Sequence, residues 1–190
     1  MPRHSIRSSE GYLLVDHSNS PGLPENFYRD IGLGGFAPNT GEGKKTEGAT
    51  VDVTSSVAVT AVHASLRITG AHASAPPEQL SVNVADPDPF DPPSLTPSWG
   101  ALDTLWLAII SYRSALVTVS AFPANHPNSQ AQYQHSGGTG TDGGIAIAAR
   151  NLNATSNDPD AYTVSATSNG RARTVAIRPE ADILLGQAML

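Results

Sequence analysis

The sequence predicts an all-β protein: a β-sandwich or jelly-roll-like domain of about seven strands behind an extended N-terminal arm. Three observations carry this. Only 15% of the 190 residues are charged, and Thr, Ser, Ala, Gly, Pro and Val dominate, a composition suited to short strands joined by tight turns. From Thr50 onward apolar and β-branched residues alternate with a period of two, the signature of a strand with one buried face. Turn signals then separate one alternating run from the next.

Residues 1–48 read as the arm. Gly and Pro recur at Gly22, Pro24, Gly32, Gly34, Gly35, Pro38, Gly41, Gly43 and Gly48, and the one helical turn they allow is Glu25 to Ile31, with Pro24 before it and Gly32 after it. Within the arm, Gly11 to Gly32 stands apart. Tyr12, Leu13, Leu14 and Val15 are apolar or aromatic, and a turn-rich run follows them. A segment too apolar to float and too broken to fold alone is expected to be buried by something else.

The domain proper spans 49–180, with 181–190 as a C-terminal tail. Thr50 to Gly70 carries two strands or one long bent one. The next stretch holds seven prolines between Pro76 and Pro97, each of which removes a ladder donor, so it reads as a long surface crossing with one short strand at Leu80 to Val84. Thr104 to Tyr112 is the most apolar run in the chain, and its length suits a central strand buried on both faces. Leu116 to Phe122 alternates and is expected to pair with it as a hairpin through Arg113 to Ala115. A polar loop from Pro123 to Gly144 precedes three further strands at Ile145 to Leu152, Ala161 to Ser168 and Arg171 to Arg178. Asn169-Gly170 predicts a hairpin turn between the last two.

Composition narrows the function. The net charge is −6, which leaves no basic stripe to neutralise a phosphate backbone and argues against nucleic acid as the main partner. Arg3, His4 and Arg7 form a short basic tip better suited to an acidic protein surface. No cysteine is present, so neither disulfides nor thiolate metal sites form. No apolar run approaches the roughly 20 residues that span a bilayer, and no signal-peptide core opens the chain; no membrane partner is expected.

Chemical motifs are equally sparse. The six histidines (4, 17, 63, 72, 126 and 135) lack metal-ligand spacing, and His63 reads as a packed strand residue. Asp86, Asp88 and Asp91 lie in DPDPFDPP, a stiff acidic loop rather than a calcium loop. Gly137 to Gly144 is followed by a strand, not by the helix a phosphate loop requires, and no GxSxG occurs. No enzyme, no metal and no cofactor is expected. Trp99 and Tyr133 are the aromatics to test for glycan contact, whereas Trp106 and Phe122 fall where core packing is the default.

Two stretches resemble phage virion proteins. From about Glu47 to Glu180, through EGATVDVTSS, LRITGAHASAPPE, PPSLTPSWGALDTLWLAI, TVSAFPANH, ARNLNATSNDPDAYTVSA and VAIRPEA, the chain resembles a β-sandwich module of tail-fibre-like and other structural proteins of tailed phages. Fuller versions of that module carry additional strands before the segment matching Glu47. The arm from about Arg3 to Thr50, with GYLLVDHSNSPGLPE and GEGKKTEGAT, resembles the start of small phage proteins whose second half is a Cys/His zinc-ribbon-like domain. The zinc site does not carry over to a chain without cysteine.

An opening peptide joined to two unrelated folds implies a job of its own. The resemblance therefore implies a capsid decoration or cement protein on the outer surface of the virion, whose arm docks on the major capsid protein. Tyr12, Leu13, Leu14, Val15, Asp16 and His17 would add a strand or fill an apolar groove, and Ser20, Pro21, Gly22, Leu23 and Pro24 would set the turn beyond it. Homo-oligomers or contacts between neighbouring copies are expected. The alternative is a receptor- or carbohydrate-binding module of a tail or head fibre, with Trp99, Tyr133 and residues 123–144 as its contact surface.

Overall fold

The computed structural model describes residues 10–19, 60–72, 75–113, 117–134 and 143–180. They form nine strands and, among the described residues, no helix: β1 Glu10–Asn19, β2 Thr60–Thr69, β3 Glu78–Val84, β4 Leu102–Tyr112, β5 Val119–Ala121, β6 Asn128–Gln134, β7 Gly144–Ala154, β8 Thr163–Val164 and β9 Gly170–Ile177. The chain is all-β. Seven of the strands make a five-stranded antiparallel sheet in the order β3-β9-β4-β7-β6 and a two-stranded sheet of β5 and β8. β1 and β2 form a separate antiparallel ribbon.

β4 is the spine because both its edges and both its faces are occupied. β7 pairs along its whole length on one side and β9 on the other, which explains why nearly every residue of the strand is apolar. On one face Leu105, Leu107 and Ile109 join Ile145, Ile147, Ala149, Val175 and Ile177 beneath Val62, Ala64, Leu66 and Ile68 of β2. The period-two pattern read in the sequence is thus the inward face of β2. On the other face Ala108, Ile110 and Tyr112 join Ala146, Ala148 and Ala172 beneath Val84, Phe90, Val117, Phe122, Tyr162 and Val164. Trp106 extends this second face with Leu95, Trp99, Leu152 and Ala176. Trp106, Tyr112, Phe90, Ile110, Ile145 and Ile147 are fully buried, each worth about 1.5–3 kcal/mol relative to exposure.

The proline-rich stretch lies against the sheet rather than merely running over the surface. Phe90 is fully buried and Leu95 nearly so. Isolated bridges hold the stretch in place, Phe90 to Tyr162 and Leu95 to Asn157, and the Phe90 ring meets Tyr112 edge-on at 6.2 Å. Thr174 Oγ1 donates to the Pro93 carbonyl at 2.6 Å. Prolines suit this role, since a segment lying across a sheet face needs few ladder donors of its own.

Three sequence expectations are corrected. The run 116–122 does not pair with β4, whose edges belong to β7 and β9; the strand it contains, Val119–Ala121, pairs with β8 instead. Residues 128–134 are a strand, not loop: β6 pairs with β7 at the sheet edge, where polar NSQAQYQ is tolerated because one side faces solvent. Asn169-Gly170 is not a hairpin turn, because β8 and β9 pair with different strands and Gly170 begins β9. The helical turn expected at Glu25 to Ile31 lies outside the described residues.

Gly170 has a different reason to be glycine. A Cβ there would collide with the Ser111 carbonyl oxygen and the Phe90 ring, whereas among the described residues the positive-φ glycines are Gly70 (74°) and Gly100 (73°). Close approach, not turn geometry, fixes the residue.

Candidate functional site

The docking segment begins in β1. Residues 12–17 lie in register opposite 62–67, from Tyr12 against Arg67 to His17 against Val62. The stretch expected to find a strand partner therefore has one within its own chain, and this pairing occupies one edge of β1. Ser20, Pro21, Gly22, Leu23 and Pro24 lie outside the described residues. Among the described residues β1 pairs only with β2, and no described residue is laddered to its second edge.

The two glycan candidates are not brought together. Trp99 is half-buried, packs with Leu95 and Trp106, and donates its indole N–H to Thr104 Oγ1 at 3.1 Å. It belongs to the end of the sheet where β4 starts. Tyr133 is 44% exposed and lies opposite Ile145, which lies opposite Ser111 near the other end of β4. Seven residues of strand separate the two levels, roughly 20 Å, and the residues they neighbour face opposite sides of the sheet.

A feature not singled out in the sequence is the contrast between the two sheet edges. β6 is bulged between Asn128 and Ala131, with Ser129 at φ 49°, a device that discourages edge-to-edge pairing. β3 pairs with β9 in unbroken register and exposes Leu80 and Val82. Its only charged residue, Glu78, accepts hydrogen bonds from Ser98 N and Ser98 Oγ.

The most connected polar cluster centres on His126, which is fully buried with Asn157 nearly so. His126 Nδ1 is 2.7 Å from Asn125 Oδ1, and its Nε2 is 3.2 Å from Asn157 Nδ2. Arg150, on β7, donates through Nη2 to Asn157 Oδ1 and through Nη1 to the Asn125 carbonyl. Its buried Nε has no partner. Burial, reinforced by the Arg150 charge, pushes the His126 imidazole down to about 4, with Asp160 opposing. Asp91 is raised by burial and by the neighbouring charges of Asp158 and Asp160. Among the described residues no group of three or more His, Asp or Glu is placed to hold a metal ion, and no described helix is long and apolar enough to cross a membrane.

Compared with known proteins, the chain matches no family model, no curated protein and no solved structure.

Proposed function

We propose that this chain is a structural decoration, or cement, protein of a tailed-phage capsid, held on the outer surface of the virion by its N-terminal arm and stabilising the head. The observation that carries the reading is that, among the described residues, β1 is paired along one edge alone. Residues of the resembling peptide lie in the ten-residue strand Glu10–Asn19, which pairs on one side alone among the described residues. Such an edge accepts a strand from another protein through main-chain hydrogen bonds. The partner in this reading is the major capsid protein, and capsid symmetry multiplies weak individual contacts into avidity.

β1 would then be a bridge between two proteins: β2 anchors one of its edges to the domain, and the capsid strand takes the other. Side chains of β2 that pack on the five-stranded sheet tie this bridge to the core, so load on the arm passes into the domain.

The test is co-sedimentation with empty heads lacking the protein, with and without excess of a peptide covering residues 1–24. Displacement by the peptide is expected. Binding that persists undiminished at saturating peptide would remove the arm from the docking site. Binding of the isolated protein to a glycan, lost on Tyr133→Ala, would move the reading to the fibre alternative.

A further inference from the structure

We propose that His126 is an acid-sensitive latch: as a neutral imidazole protonated on Nδ1 it fastens residues 122–127 and 155–160 to the sheet, and a second proton, on Nε2, releases them while the sheet stays folded. The inference is independent of the capsid reading.

The hydrogen bonds assign the tautomer from both sides. Asn125 Oδ1 accepts from the Asp160 N–H at 3.1 Å, and Asn125 Nδ2 donates to the Asp158 carbonyl at 2.9 Å. Two backbone groups thus fix which amide atom is oxygen, so His126 Nδ1 must donate to it. On the other side Arg150 Nη2 can only donate, so the Asn157 atom it meets is the oxygen and the atom facing His126 Nε2 is the NH₂ group. Nε2 must accept. A fixed acceptor on one nitrogen and a fixed donor on the other leave room for one protonation state.

A second proton has nowhere to point. It would set an N–H against the Asn157 NH₂ group, and an amide flip that presented oxygen instead would turn NH₂ toward the Arg150 guanidinium. The backbone of Asn157 is also held, since its N–H and carbonyl exchange hydrogen bonds of 3.0 and 2.9 Å with Leu95. The charged groups around the ring divide. β7 supplies Arg150, which opposes protonation; the 155–160 segment supplies Asp160, which favours it, with Asp158 beside it; the proline-rich stretch supplies Asp91, which senses both aspartates. From β6 comes only the neutral Gln130, donating to the His126 carbonyl at 3.0 Å.

Protonation therefore breaks the Asn157 contact first. The Leu95 to Asn157 bridge goes with it, loosening Leu95 from the cluster it forms with Trp106 and Ala176. The β4, β7 and β9 ladders contain no group of this kind at their centre, so they persist.

The experiment is an NMR titration of the full chain from pH 7 to pH 3.5, reading the His126 ring nitrogens and amide protection factors, repeated on His126→Gln. Expected are an Nδ1–H tautomer at pH 7, a ring midpoint near 4, and a drop of about tenfold in protection at Leu95 and Asn157 across that titration. Ile109 and Ile147 should change less than about twofold. In His126→Gln the selective drop should vanish, since Gln keeps a neutral donor and acceptor at all pH values. An Nε2–H tautomer, a midpoint at the ordinary histidine value, or sheet and loops opening together would overturn the proposal. These readouts on the unsubstituted protein decide it even if the variant does not fold.

Discussion

Gly170→Ala is the sharpest test of how the sheet is packed. The added Cβ would point at the Ser111 carbonyl oxygen and at two carbons of the Phe90 ring. Neither neighbour can retreat: Ser111 is laddered to β7 on one side and β9 on the other, and Phe90 is fully buried, bridged to Tyr162 and edge-on to Tyr112. Overpacking of this kind costs about 1–3 kcal/mol, and a backbone oxygen as the obstacle places the change at the upper end. For a chain of this size about 3 kcal/mol lowers Tm by roughly 6–12 °C.

Two controls separate this cause from turn geometry. At Gly70 and Gly100 a Cβ meets nothing, but φ is positive, so Ala there should cost about 1–2 kcal/mol and Asn, which tolerates that conformation, less. At Gly170 the order reverses, because Asn is larger and finds no compensating backbone. Phe90→Leu in the Gly170→Ala background should recover part of the loss, since it removes the ring but leaves the Ser111 oxygen. Urea unfolding of these variants reads all of this. Gly170→Asn more stable than Gly170→Ala, or Gly170→Ala within about 0.5 kcal/mol of the parent, would refute the reasoning.

Other expectations follow from the same contacts. His126 titrates lower in the folded chain than in the unfolded one, so the unfolded state holds more protons between about pH 4 and 6.5. Its stabilisation is complete above pH 6.5 and is lost on the way to pH 4, about 3 kcal/mol at most; urea midpoints at pH 7, 5.5 and 4.5 should fall in that order, with raised Asp91 offsetting part of the loss only at the acid end. Tyr162→Phe removes a buried hydroxyl that donates to the Ala108 carbonyl at 2.7 Å and should cost about 1 kcal/mol; in the parent, spectrophotometric titration should find this phenol silent until unfolding, because burial raises it. Ile147→Ala, at the centre of the face covered by β2, should cost about 2–5 kcal/mol by calorimetry. Trp99→Ala should destabilise through lost packing and the lost Thr104 bond, whereas Tyr133→Ala should leave Tm unchanged.

What the sequence made legible was local. The uninterrupted apolar run at 104–112 announced a strand buried on both faces, and the alternation through 62, 64, 66 and 68 announced one inward face. Pairing was not legible in the same way. Leu116 to Phe122 alternates as a hairpin partner would, but whether it joins β4 depends on β7 and β9 having taken both edges, a competition between segments distant in sequence. β6 was hidden because an edge strand with one wet side needs no apolar signal, only backbone partners. Asn169-Gly170 carried a correct glycine with the wrong cause, since a turn glycine and a close-contact glycine look alike in one dimension. The His126 cluster was invisible for a similar reason: its members come from positions 125, 126, 150, 157 and 160, and only the fold makes them neighbours.

In the proposed function β1 joins this chain to a capsid strand through the edge that β2 does not occupy. A reconstruction of the decorated head at a resolution that traces main chain tests it most directly. Continuous density is expected in which Glu10–Asn19 lies between β2 and a strand of the major capsid protein. Density in which the domain touches the shell by another surface, with the outer edge of β1 bare, would contradict it.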